Sequence, residues 1–163
     1  MPNVRNLKYK WVKQRINSWR CDFDQVDHFH NEADEYTFDY KEYHGVIQRH
    51  MELGHLCGYI GVLVDDLKLR GKIEIEEIKE HHLFPHGGCT TSFRGNGESF
   101  HKERHYFGFD CSHYGDWCLL PGLGTGQQYR NAGYVMWHVI RMAECLNELF
   151  KKTVEQIGIT NGI

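Results

Sequence analysis

The sequence lacks an apolar run long enough to cross a membrane. Its longest such run, Cys57 to Val64, covers eight residues and includes two glycines, whereas a transmembrane helix needs about 20 apolar residues. The N-terminal stretch MPNVRNLKYKWVKQR is polar and basic, and no apolar segment follows it, which is not the pattern of a secretory signal. We therefore expect a cytoplasmic protein with no membrane partner.

Closely spaced cysteines are missing as well. The nearest two of the six cysteines have six residues between them, so the two-residue spacing of zinc knuckles and redox motifs is absent. In a reducing compartment, cysteines of this kind are typical of free thiols. We therefore expect no disulfide framework.

The chain also has no excess of positive charge. Its 19 basic and 22 acidic residues give a net charge of −3, which argues against a nucleic-acid partner for the whole chain. The charges are unevenly placed, because residues 5–20 hold six bases and no acid and residues 22–43 hold eight acids and one lysine. Pairing of these segments, within one chain or with a neighbouring subunit, is one interpretation. A nucleic-acid arm or a protein-binding surface is the other.

A length of 163 residues is enough for one hydrophobic core. The charged and aromatic pattern of the first fifty residues gives way near Gly54 to strongly apolar segments. We therefore predict an N-terminal charged and aromatic extension at residues 1–50 and an α+β core domain at residues 51–163.

Alternation of apolar and polar residues, or a continuous apolar run, predicts strands at residues 36–40, 55–64, 72–78 and 104–110. Apolar residues then recur at steps of three and four from about Tyr134 to Gln156, which predicts a helix. Asn131 fits its N-cap and Gly158 its C-terminal stop, whereas Trp137 and His138 fall off the apolar stripe. The sequence predicts an α+β fold, in which a small antiparallel or mixed sheet carries a long C-terminal helix packed across it.

Polar residues concentrate in two blocks, His86-Gly-Gly-Cys-Thr90 and Asp110-Cys-Ser-His-Tyr-Gly-Asp116, and the second block closes a predicted strand. Loops that follow strands commonly display functional side chains, and both imidazole and carboxylate are zinc ligands. The candidate metal ligands or acid–base groups are His86, Asp110, His113 and Asp116. A purely structural hydrogen-bond network is the plain alternative. A thiol–imidazole pair of Cys111 or Cys89 with His86 or His113 is another.

A small-ligand pocket is a further interpretation, because aromatic residues surround both blocks and aromatic rings bind bases by stacking. In this interpretation Tyr106 or Trp117 stacks on a base, and Arg94 and Arg104 meet phosphate. The polar edges are read by His86, Thr90 and Asp110, and the Gly87–Gly88 backbone approaches the ligand closely. The candidate ligand-binding residues are His86, Gly87, Gly88, Thr90, Arg94, Arg104, Tyr106, Asp110, His113, Asp116 and Trp117.

Three motifs in a fixed order carry a resemblance to a known family. They are Gly54-His-Leu-Cys-Gly-Tyr-Ile-Gly-Val62, then His86-Gly-Gly-Cys-Thr90, then Tyr106-Phe-Gly-Phe-Asp-Cys-Ser-His-Tyr-Gly-Asp116. The chain resembles, over about residues 54–150, a family of small uncharacterised bacteriophage proteins with GYVGVP, HGG-x-T and WWFGFDC-x-H-x-GD motifs. It departs from the family at residues 63–68, where the family has a histidine–proline pair, and in carrying the first fifty residues.

The resemblance implies a phage accessory protein of the host cytoplasm during infection. The expected function is counter-defence: a homo-oligomer that binds and sequesters a nucleotide-derived immune signal, such as a cyclic ADP-ribose isomer or a cyclic oligonucleotide. Such a protein is not an enzyme and needs no cofactor. The alternative is a metal-dependent, phosphodiesterase-like hydrolase of such a signal, which needs a divalent metal at the four candidate ligands.

Overall fold

A computed structural model describes residues 5–10, 31–69, 78, 86–118 and 127–160, and all structural statements below concern these residues. Of the four predicted strands, the one at residues 72–78 lies outside them, except for the buried Ile78.

The described strands form one antiparallel sheet of six, in the order β1-β2-β3-β4-β6-β5. A single short helix, α1, follows β4 directly, and a long helix, α2, ends the described chain. The bounds are β1 Arg5–Lys10, β2 Glu35–Tyr40, β3 Tyr43–Arg49, β4 Leu56–Leu63, α1 Val64–Leu69, β5 Thr91–Arg94, β6 Arg104–Asp110 and α2 Ala132–Thr160.

Helix α2 packs on the sheet through β3 and β4. Its predicted apolar stripe is confirmed in the first half of the helix, where Val135, Val139, Met142 and Leu146 are fully buried. Asn131 is the N-cap, since its Oδ1 accepts a hydrogen bond from the Tyr134 amide at 2.9 Å. The predicted stop at Gly158 is wrong, because the helix continues to Thr160. The predicted α+β class is confirmed.

The sheet is covered on both faces around β6. Phe107 and Phe109 belong to the core beneath α2, and Tyr106 points to the other face, where its ring packs on Phe93 and Phe100. Gly61 makes room for that ring on β4, since a Cβ there would come within 2.5 Å of it. Both sides of this strand are therefore packed, and neither is open to a ligand.

The predicted boundary at residue 50 falls between two paired strands. β3 pairs with β4 from His44–Gly61 to Arg49–Leu56, and the core cluster includes Phe38, Tyr43 and Ile47. The second half of the predicted extension is therefore part of the core. The acidic residues of this segment made it resemble a separate extension in the sequence. In the structure, Asp39 and Glu42 lie on the exposed side of the β2–β3 hairpin.

No disulfide joins any two of the five cysteines that the structure describes, and four of the five are buried. No helix in the described ranges has both the length and the apolar character needed to span a membrane.

Candidate functional site

The two polar blocks of the sequence meet at one end of the sheet. The turn that follows β6 carries His113 and Asp116, and Asp116 pairs with Gln128 just before α2. The loop that leads into β5 places the His86 ring against Phe109 of β6, with ring centres 5.4 Å apart, and against His113, at 5.0 Å. Three chain segments therefore enclose one polar cluster between the sheet and the start of α2.

Three side chains of this cluster have metal-ligating atoms within 4.8 Å of one another: His86, His113 and Asp116. His86 Nε2 lies 3.0 Å from Asp116 Oδ2, and His113 Nδ1 lies 3.7 Å from the same oxygen. Ligand atoms about 2.0–2.1 Å from a tetrahedral zinc ion are roughly 3.3 Å apart. The observed separations lie on either side of that value, so the spacing suits a metal ion. We call these three residues the His–His–Asp triad.

The hydrogen bonding of the ring nitrogens distinguishes a set of metal ligands from an ordinary hydrogen-bonded network. His86 Nε2 and His113 Nδ1 are both buried, and neither makes a hydrogen bond within the described structure. The 3.0 Å separation of His86 Nε2 from Asp116 is short enough for a hydrogen bond, but the geometry does not meet the angular requirement for one. Two buried, unpaired nitrogens beside one carboxylate oxygen fit a shared cation, which would satisfy both.

Neighbouring groups fix the orientation of the triad. Arg130 Nε donates to Asp116 Oδ1 at 2.7 Å, and the His113 amide donates to Asp116 Oδ2 at 3.2 Å. The second nitrogen of His86, Nδ1, is 2.8 Å from the Tyr134 hydroxyl. Metal-binding histidines and carboxylates generally have such outer partners. The Asp116 bond is also the main reason that the pKa of Arg130 is raised.

The segment that carries Arg130 is itself held by a buried ionic cluster. Glu32 accepts hydrogen bonds from the Ala132 amide at 2.7 Å and from the Tyr129 hydroxyl at 2.8 Å. Arg49 of β3 donates to Tyr129 at 2.7 Å and to Asp34 at 2.6 Å. The start of α2, and with it Arg130, is therefore tied to β3 and to the residues that precede β2.

The backbone at His86 is strained in a way that favours a functional role. His86, Gly87 and Gly88 are consecutive residues with φ values of 53°, 83° and 99°, and positive φ is uncommon for histidine. A Cβ at Gly87 would come within 2.9 Å of His113 Nε2. The His-Gly-Gly sequence thus brings the loop close enough for the two imidazoles to meet, at a cost in backbone strain.

Burial favours the neutral form of His86 and His138, which is the form of histidine that binds a metal. Burial is the largest cause of the lowered pKa of His86 and of His138, whose pKa falls to about 4. His138 is 8% exposed, and its ring centre is 5.5 Å from that of His86. Its Nδ1 is buried without a hydrogen bond.

Sequence reasoning missed His138, Tyr134 and Arg130. Tyr134 and His138 are four residues apart, which places them on one side of α2, next to the apolar stripe that was identified, and Arg130 lies just before the helix. Tyr134 and His138 are in ring contact at 4.3 Å. The four-residue spacing of Tyr134 and His138 was visible in the sequence as a second stripe of the helix, but the stronger apolar pattern concealed it.

Asp110, the fourth candidate ligand, does not belong to the triad. Its Oδ2 accepts a hydrogen bond from Thr90 Oγ1 at 3.2 Å, and its Oδ1 accepts one from the Ser112 amide at 3.0 Å. The carboxylate thus joins the loop before β5 to the turn after β6, which is a structural task.

The predicted stacking residues are enclosed by protein. Tyr106 is 0% exposed, and its hydroxyl accepts a hydrogen bond from the His101 amide at 2.9 Å. Trp117 is 7% exposed and packs on Tyr129. Neither ring presents a free face, because the strand and turn that carry them are packed on both sides.

The two predicted phosphate-binding arginines lie along the sheet and not in the cluster. Arg104 NH1 donates to the carbonyl groups of Glu42 at 2.8 Å and Gly61 at 3.1 Å. Arg94 is exposed, and its Nε donates to the Lys102 carbonyl at 2.5 Å. Of the predicted ligand-binding set, the structure brings together His86, Gly87, His113 and Asp116.

The thiols near the cluster are poor nucleophiles. Burial raises the pKa of the Cys111 thiol far above its usual range, and only the thiolate attacks a substrate. Cys89 Sγ donates to the Thr91 carbonyl at 3.1 Å, which leaves the thiol engaged with the backbone. The geometry gives no support to a thiol–imidazole pair.

We expect Tyr134→Phe to weaken zinc binding by about 10–100-fold, the usual effect of removing an outer-shell partner. When His86 binds a metal through Nε2, its Nδ1–H donates to the Tyr134 oxygen, and phenylalanine leaves that donor unpaired. Isothermal titration of EDTA-treated protein with zinc measures the effect. Tyr40→Phe is the matched control, since it removes a hydroxyl that bonds Glu144. Equal zinc affinity in the two variants would contradict the assignment.

We expect the free energy of unfolding to fall as the pH drops below about 6.5. Burial is the largest cause of a lowered pKa in five described histidines, His55, His86, His101, His105 and His138. The unfolded chain takes up these protons near pH 6.5, before the folded protein does, so acid favours unfolding by up to roughly 1.4 kcal/mol per pKa unit. Urea unfolding at pH 7.5 and pH 5.0, in EDTA to exclude metal effects, checks this. Equal stability at both values would refute it.

Comparison of the chain with models of protein families, with curated proteins and with solved structures gives no match. The resemblance to bacteriophage proteins therefore stays a prediction from the sequence motifs.

Proposed function

We propose that the protein is a divalent-metal-dependent hydrolase whose metal is held by His86, His113 and Asp116. The observation that carries the proposal is the convergence of two buried, unpaired imidazole nitrogens on one carboxylate oxygen. Two nitrogen donors and one oxygen donor suit zinc and other first-row divalent metals.

The exposure of the triad supports a catalytic site over a structural one. Structural zinc sites have four protein ligands, whereas catalytic sites have three and keep a position for water or substrate. The side chains of Asp116 and His86 are 2% and 7% exposed, but that of His113 is 38% exposed. The ligand atoms of the triad are thus buried, and the rest of the His113 ring reaches solvent.

A divalent cation in such a site supplies a Lewis acid that polarises a substrate and makes a water molecule more acidic. The residues of this chain have separate tasks around it. Tyr134 and Arg130 hold the His86 ring and the Asp116 carboxylate in place, and Phe109 limits access of water from the core side.

The bond that is hydrolysed is proposed to be a phosphoester, as in the alternative function expected from the sequence. The cationic side chain beside the triad is Arg130, which is 24% exposed, and arginine is suited to phosphate. Sequestration of a nucleotide signal without turnover, in a homo-oligomer, is the competing proposal. The burial of Tyr106 and Trp117 argues against sequestration with a base stacked on either ring, because protein covers the faces of both rings.

The proposal is tested by zinc binding together with turnover. EDTA-treated protein should bind about one zinc ion per chain, and the zinc-loaded protein should release p-nitrophenolate from bis(p-nitrophenyl) phosphate. EDTA should abolish the release and zinc should restore it. His113→Gln should lose both properties, whereas His101→Gln, at a histidine outside the triad, should keep them.

Two results would overturn the proposal. One is the absence of binding of zinc, manganese or iron(II) to folded protein. The other is metal binding without hydrolysis, combined with recovery of an intact nucleotide ligand after denaturation, which would support sequestration instead.

A further inference from the structure

A row of aromatic and cationic side chains leads along α2 away from the triad. Tyr134, Trp137 and Arg141 follow at steps of three and four residues, which places them on one face of α2, and Arg130 lies just before the helix begins. The guanidinium carbon of Arg130 is 4.7 Å from the centre of the Tyr134 ring, and that of Arg141 is 6.0 Å from Trp137. We call these four residues the aromatic–cationic row.

Trp137 is the unusual member of the row because 54% of it is exposed. Tryptophan carries the largest apolar surface of any side chain and is ordinarily mostly buried. Its ring touches His138 edge-on, with centres 4.7 Å apart and planes at 86°. An exposed indole held on a rigid helix is a surface on which a planar ring can stack.

Arg141 adds a charge that a ligand can use. Its side chain is 53% exposed, and its partner Glu144, at 3.2 Å, is 38% exposed. Exposed ion pairs of this kind contribute little stability, so exchanging the carboxylate for a phosphate costs little. Arginine binds phosphate through two parallel hydrogen bonds.

The row lies close enough to the triad to act on the same ligand. The Trp137 ring is 4.7 Å from His138, whose ring is 5.5 Å from that of His86. A nucleotide whose base stacks on Trp137 therefore lies next to His138, the side chain that contacts His86.

We propose that the aromatic–cationic row is the binding site for a nucleotide, with the base stacked on Trp137 and a phosphate held by Arg141. This inference rests on the proposed hydrolase, since it names the class of substrate that the hydrolase acts on. A planar base and an anionic phosphate are the two groups that an exposed indole beside a guanidinium group recognises together.

Binding of small probes in EDTA tests the row without the metal. Isothermal titration with 5′-AMP, ribose 5-phosphate and adenosine separates the base from the phosphate. We expect AMP to bind about 5- to 150-fold more tightly than ribose 5-phosphate, because a stacked base contributes about 1–3 kcal/mol. Trp137→Ala should remove that advantage and leave ribose 5-phosphate binding unchanged.

A matched pair of variants tests the charge. Arg141→Gln should weaken AMP and ribose 5-phosphate alike and leave adenosine unchanged. Lys151→Gln removes one positive charge from another exposed position of α2 and should change none of the three affinities. All of these positions are exposed, and circular dichroism verifies that each variant is folded.

Equal affinity for AMP and ribose 5-phosphate, or unchanged AMP binding in Trp137→Ala, would overturn the inference. Tight binding of a single-stranded oligonucleotide without measurable binding of AMP would also overturn it, in favour of a nucleic-acid strand. Failure of the hydrolase gives a different result: AMP still binds in EDTA, but the protein binds no divalent metal.

Discussion

Asp116→Asn is expected to lower zinc affinity by more than 100-fold. Changes to outer partners of a metal site cost about 10–100-fold, and this substitution removes a ligand itself. Asparagine keeps the size of the side chain, but its single oxygen can accept only one of the two hydrogen bonds that Asp116 accepts, from Arg130 at Oδ1 or from the His113 amide at Oδ2. It removes the negative charge that draws a cation between two imidazoles. Zinc titration of EDTA-treated protein measures the loss.

Asp110→Asn is the control that distinguishes the triad from the four-ligand set expected from the sequence. Asp110 bonds Thr90 and Ser112 and not the triad, so its change should leave zinc affinity within about threefold of the parent. A large loss of affinity in Asp110→Asn, with little change in Asp116→Asn, would show that the metal site has been assigned to the wrong carboxylate.

The sequence singled out the triad residues as candidates because they cluster in two short blocks. His86, His113 and Asp116 all lie in turns beside a strand whose bounds, 104–110, were predicted as the structure has them. The choice between Asp110 and Asp116 could not be made, because it depends on where a turn redirects the chain. Residues in a turn, here the third and sixth after the strand ends at Asp110, have no periodicity that fixes the direction of their side chains.

Tyr106 illustrates a different limit of prediction from the sequence, which is the identity of the groups that cover each face of a strand. Alternation along β6 separates Tyr106 from Phe107 onto opposite faces, but it does not say what covers each face. One face is covered by α2, and the other by Phe93, Phe100 and Tyr59 around the β5–β6 connection. The short strand β5 has four residues, too few for alternation to be recognised. The pocket expected at Tyr106 is therefore filled by side chains.

The N-terminal boundary was misplaced because charge pattern and core membership are separate properties. β3 is buried at six of its seven positions, and Phe38 of β2 is almost fully buried. Of the acidic residues around them, Asp39 and Glu42 are exposed, whereas Asp34 is buried against Arg49. Net charge in a window of fifty residues is no guide to which side chains face the sheet's covering helix.

Deletion of residues 1–50 is expected to abolish cooperative folding. The deletion removes three of the six described strands and the buried side chains of Phe38, Tyr43 and Ile47. Burial of each such side chain contributes about 1.5–3 kcal/mol, and the whole free energy of unfolding of a domain is roughly 5–15 kcal/mol. The deletion also removes Glu32, Asp34 and Arg49, whose contacts hold the start of α2. Far-ultraviolet circular dichroism and thermal unfolding provide the measurement.

Deletion of residues 1–30 is the matched control, because it removes only the edge strand β1 from the described sheet. Every member of the core cluster lies after it, and the Glu32–Tyr129 and Asp34–Arg49 contacts remain. This shorter deletion should melt cooperatively, at a lower temperature than the parent, since the loss of β1 leaves β2 as a new edge. If instead the chain without residues 1–50 melts cooperatively and binds zinc, β4–β6 and α2 form an independent domain. The sheet continuity between β3 and β4 would then contribute nothing to folding.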